Sequence, residues 1–149
     1  MNDRFRQSVY RAEDQWSSVI DRGGAVDFFG SMVQVPTQIR FGSLEDVRAY
    51  VEHVCGVHDT VVPEVRHRKG GSRAHYEDGV IAIPSSHAWA MRESVLLHEI
   101  AHHMCVQDHS TSLHDAHFIT TMLTLVESRL GPEAALLLRT GYVNAGAPT

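Results

Sequence analysis

From Val95 to Val106 the chain is apolar except at His98, Glu99, His102 and His103, which sit in the run His98-Glu99-Ile100-Ala101-His102-His103. Val95, Leu96, Ile100 and Met104, with the Leu97–Ala101 pair, are spaced for a helix that is apolar nearly all round, and such a helix has to be buried. Burying a glutamate and three histidines is expensive unless they are paired or bound to a metal. On a helix, residues i and i+4 share a face one turn apart, so the imidazoles of His98 and His102 can reach one ion. Zinc accepts neutral imidazoles in a tetrahedral arrangement, and a catalytic site keeps one position open for water. Glu99, beside the first histidine of this H-E-x-x-H pattern, is placed to take that water's proton. A plain core or surface helix would account for two histidines but not for the glutamate among them.

Three imidazole ligands would complete such a centre, and six of the eleven histidines lie between His98 and His117. His103 follows His102 directly and points about 100° around the helix, which suits it to a nearby hydrogen bond rather than to the same ion. A continuation with glycine at 105 and histidine at 108 is excluded, because the chain has Cys105 and Asp108 there. His109 falls in the polar stretch Gln107 to Ser112 and reads as a solvated loop residue. Leu113, Phe118, Ile119, Met122, Leu123 and Val126 restore helical spacing. His114 and His117, at i and i+3 near the head of that helix, can both approach the site, one as ligand and one as its hydrogen-bond partner.

At 149 residues and 43% hydrophobic, the chain is expected to form one domain, residues 1–149, with its own core. A net charge of −5 and the lack of a basic stripe argue against nucleic acid, and Arg66-His67-Arg68-Lys69 reads as a solvated turn flank. No apolar leader or membrane-length run is evident, so a soluble, cytoplasmic protein is expected. Cys55 and Cys105 read as buried thiols rather than a disulfide. Cys105 lies three residues past His102, which makes it a ligand to be excluded.

Along the chain, helical spacing covers Asp3 to Asp21, ended by Gly23-Gly24, and Met32 to Pro36 alternates like a strand. Ser43 is placed to cap a helix through Val47, Tyr50, Val51 and Val54 to Gly56. Strands are expected at 61–68, 73–76 and 79–84, with Asp78-Gly79 as a hairpin turn directly before the metal helix. Pro132 opens a last helix to about Tyr142. The order predicts an α+β fold with a small, mostly antiparallel sheet.

The runs His98-Glu99-Ile100-Ala101-His102-His103, His114-Asp115-Ala116-His117-Phe118 and Leu130-Gly131-Pro132-Glu133-Ala134-Ala135 resemble the small metallohydrolases of actinobacteria and their phages and, more distantly, SprT-like zinc peptidases. The resemblance implies a zincin-like domain with its third ligand at His114 and a packing aromatic at Phe118; Asp115 stands where that family usually has glycine. In zincin-type peptidases an edge strand above the active-site helix pairs with extended substrate. Gly79 to Pro84 is the segment placed for that role, since backbone pairing binds peptides irrespective of sequence; an internal strand packing Val80 and Ile81 fits the pattern equally well.

The combined expectation is a zinc-dependent hydrolase acting on a peptide or protein. His98, His102 and His114 hold Zn2+, and Glu99 acts as general base. Tyr142, Tyr76, His75 and His117 are oxyanion-donor candidates, and Asp108, Asp115 and Glu127 are candidate acceptors behind the imidazoles. The alternative is a zinc-containing regulatory or interaction protein with a vestigial or structural site, which a fourth ligand from His109, His117 or Cys105 would favour.

Overall fold

The computed structural model describes residues 2–110 and 113–149, which contain five α-helices and five strands. In chain order these are α1 (Arg6–Arg22), β1 (Gly24–Phe28), β2 (Ser31–Val35), α2 (Leu44–Val57), β3 (Glu64–His67), β4 (His75–Glu77), β5 (Val80–Ile83), α3 (Glu93–Gln107), α4 (Ala116–Leu130) and α5 (Pro132–Ala145). The class is α+β. Contacts divide the chain into two compact units, Met1–Gln38 with Ser112–Thr149, and Ile39–Thr111. Among the described residues no helix is long and apolar enough to cross a membrane.

In the first unit, α1 carries Val9, Ala12, Trp16 and Ile20 at helical spacing, and all four are buried. Two of its buried polar groups bond to α5. The Trp16 indole donates to the Ala134 carbonyl at 3.0 Å, and the Tyr142 hydroxyl donates to Glu13 Oε2 at 2.6 Å. Burial first, then the charge and hydrogen bond of Glu13, push the Tyr142 phenol well above its ordinary pKa, so it stays protonated. The strand expected at Met32 to Pro36 is the second half of a hairpin, β1–β2, with Phe29-Gly30 as its turn. Both turn residues have positive φ, 50° and 88°, as a two-residue hairpin requires. Asp27 Oδ1 accepts from the Gly30 amide at 3.2 Å and steadies that turn.

In the second unit a three-stranded sheet runs in the order β3-β5-β4, with β5 parallel to β3 and antiparallel to β4. One pairing of this sheet is parallel and one antiparallel, and Gly79 to Pro84 supplies its middle strand, which settles the two placements open for that segment in favour of the internal one. The physical reason is polarity: Val80–Ile83 is the most apolar strand, and Ile81 and Ile83 are fully buried, whereas His75-Tyr76-Glu77 tolerates an edge. Asp78-Gly79 forms the predicted turn, at φ 50° and 77°.

Ser43 caps α2 as expected, its hydroxyl accepting from the Asp46 amide at 3.1 Å. Arg48 on α2 donates through Nε and Nη2 to the Val65 carbonyl, joining α2 to β3. Glu93 anchors the start of α3 and is 2% exposed. Its carboxylate accepts from the Ile39 amide at 3.0 Å and from the Tyr50 hydroxyl at 2.5 Å, and its own amide donates to the Ile39 carbonyl. A negative charge in the first turn also complements the helix dipole. Glu93→Ala strips both donors of their acceptor and is expected to lower the unfolding free energy by about 2–4 kcal/mol. Urea melts check this; an unchanged midpoint would show that the carboxylate is dispensable.

Candidate metal centre

Helix α3 is buried on nearly every side, as its composition predicts: Leu96, Leu97, Ile100, Ala101 and Cys105 are at most 1% exposed. His98, Glu99 and His102 are also buried, at 3%, 5% and 7% exposure. One helical turn brings the two imidazoles together, with His98 Nε2 and His102 Nε2 3.1 Å apart and the rings nearly perpendicular at 73°. Two nitrogens bound to one tetrahedral zinc at about 2.0–2.1 Å would lie about 3.3–3.4 Å apart, so this separation fits a shared ion.

His114, buried at 5% exposure, is the third member. One ligand atom from each of His98, His102 and His114 lies within 4.8 Å of the others, close enough to hold a metal ion. Among the described residues no other group of three or more metal-binding side chains comes together. Three neutral imidazoles suit a borderline divalent cation, so the donor set passes this test of fit.

The orientation of His114 comes from its surroundings. It precedes α4, and Asp115 caps that helix by accepting from the Phe118 amide at 3.0 Å. The His114 ring meets Phe118 edge-on at 5.1 Å between centroids and Tyr10 of α1 at 5.3 Å. Asp3 holds it from behind: Oδ2 lies 2.6 Å from Nδ1, and Oδ1 accepts from the His114 backbone amide at 3.2 Å. Asp3 is the residue that reading the sequence missed. It lies 111 positions from its partner, and no spacing rule links them.

The remaining sequence candidates are placed elsewhere. His109 is exposed in the turn after α3, with φ 58°, and His117 is exposed on α4. Neither belongs to the histidine group, and nor does Cys105. Burial pushes the Cys55 thiol up to about 11, which leaves it protonated and inert at neutral pH. Of the acceptors considered, Asp108 ends α3 and Glu127 is exposed on α4.

Tyr142, considered as an oxyanion donor, is fully buried against Glu13. Tyr76 directs its hydroxyl to His103 Nδ1 at 2.8 Å, while His103 Nε2 lies 2.6 Å from the Val61 carbonyl. A carbonyl only accepts, so His103 carries its proton on Nε2 and receives the Tyr76 hydrogen at Nδ1. Burial, with the nearby Asp78 charge, outweighs a backbone hydrogen bond from Gly79 and raises the Tyr76 pKa, which keeps that hydrogen in place. His75 is exposed on β4. His103 is thus a brace between α3 and the β4 side of its unit, as its rotation away from His102 implied.

No family model, curated protein or solved structure matches this chain.

Proposed function

We propose that the chain is a zinc-dependent hydrolase of zincin type, with peptides or proteins as substrate. The observation that carries this reading is Glu99, held with its carboxylate in a buried helix beside two histidines whose Nε2 atoms converge to 3.1 Å. A structural site has no use for that glutamate, whereas hydrolysis needs a base at that position.

Zinc held by His98, His102 and His114 would lower the pKa of a coordinated water to about 7 and polarise the scissile carbonyl. Glu99 takes the proton of the attacking water and passes it to the leaving amine. β4, at one edge of its sheet among the described residues and beside α3, is the strand that an extended peptide could extend by backbone pairing.

The regulatory or structural alternative calls for a fourth protein ligand, and the described residues supply three. The test is cleavage of an unfolded protein such as denatured casein. Protein carrying about one zinc per chain should cleave it, should lose activity to 1,10-phenanthroline and should regain it with added zinc. Zinc-loaded protein that leaves unfolded and peptide substrates intact would favour the non-enzymatic role.

A further inference from the structure

We infer that Asp3 is a positioning residue for the metal centre: it fixes His114 as the Nδ1–H tautomer and so commits Nε2 to the ion. This inference rests on the metal-centre reading and adds to it the ligating atom and the group that selects it.

A carboxylate only accepts, so the 2.6 Å contact between Asp3 Oδ2 and His114 Nδ1 places a hydrogen on Nδ1. In the neutral ring the lone pair then resides on Nε2, the nitrogen able to bind a metal. The second oxygen receives the backbone amide of the same residue at 3.2 Å, so Asp3 grips His114 at two points. Ring rotation is opposed by Phe118 and Tyr10 at 5.1 and 5.3 Å. The acceptor is 22% exposed and the imidazole 6%, so the contact is largely shielded from competing water. A carboxylate behind a ligating imidazole also raises the basicity of the nitrogen facing the ion.

The two-point grip predicts a particular failure for asparagine. A carboxamide has one oxygen and one NH2, while His114 offers two donors. Either the NH2 confronts the backbone amide, or it faces Nδ1 and drives the ring to the Nε2–H tautomer, which cannot bind metal through Nε2. Asp3→Asn is therefore expected to behave nearly as badly as Asp3→Ala despite its matching shape.

Two measurements decide this. Chelator competition with Zn2+ alone should show Asp3→Asn and Asp3→Ala weakened by roughly 10–100-fold, in metal-free protein that still unfolds cooperatively. Separately, 15N NMR of the unaltered, metal-free protein should show the neutral tautomer of His114 protonated at Nδ1. The second readout needs no variant, so it stands even if the substitutions fail to fold. Unchanged zinc affinity in Asp3→Asn, or a His114 proton on Nε2, overturns the inference and leaves the metal reading standing. Failure of the unaltered protein to bind zinc at all overturns both.

Discussion

Replacing His98 and His102 together with alanine is expected to take the protein from about one zinc per chain to none by elemental analysis. Either single substitution should weaken binding by orders of magnitude. Both ligands project from one rigid helix with Nε2 atoms 3.1 Å apart, so their relative position costs little entropy to hold. Losing one leaves a two-coordinate remnant that cannot match the tetrahedral preference of zinc. His114→Ala should fall in the same class, because its buried ring completes the group. His117→Ala should cost at most about tenfold, and His109→Ala almost nothing, since both side chains are exposed. Stoichiometric zinc persisting in the double variant would sink the assignment. The large loss appearing in His117→Ala or His109→Ala would move the third ligand and leave the helix pair intact.

Glu99→Gln should separate binding from chemistry. The amide is nearly isosteric and zinc does not depend on it, so metal content and melting should stay close to those of the unaltered protein. The turnover of an unfolded protein substrate should fall by about 10²–10⁴-fold, because the amide cannot accept a proton from water. Substrate affinity should change far less than turnover, since the proton is transferred only in the transition state. Full activity in zinc-loaded Glu99→Gln would show that another base does this work or that hydrolysis happens elsewhere.

How much of this was legible in the sequence depends on how far apart the partners lie. The α3 helix and its paired histidines were readable because i and i+4 spacing is local. The Ser43 cap, the Asp78-Gly79 turn and the Pro132 start were readable for the same reason. The β1–β2 hairpin was hidden because Phe29 occupies a positive-φ position usually held by Asn, Asp or Gly. The place of β5 in the middle of its sheet was undecidable from alternation alone; strand order depends on which apolar run competes best for burial. His114 was reached through resemblance, while its orienting group, Asp3, lay 111 residues away. The tautomer of His103 likewise depends on Val61 and Tyr76, 42 and 27 positions distant.

The β1–β2 hairpin carries a colloidal consequence. Among the described residues it is a sheet of two strands, so the outer backbone edge of each has no strand partner in that sheet. Its tip presents Phe29 at 84% exposure, with Met32 beside it at 63%. Open edges next to apolar side chains are where copies of a chain join strand to strand in concentrated solution. Asp27, exposed on β1, places a negative charge on that edge, and like charges on approaching copies repel. The residue that shapes the turn through Gly30 is therefore expected to oppose self-association of the hairpin as well, at a point whose chemistry owes nothing to the metal.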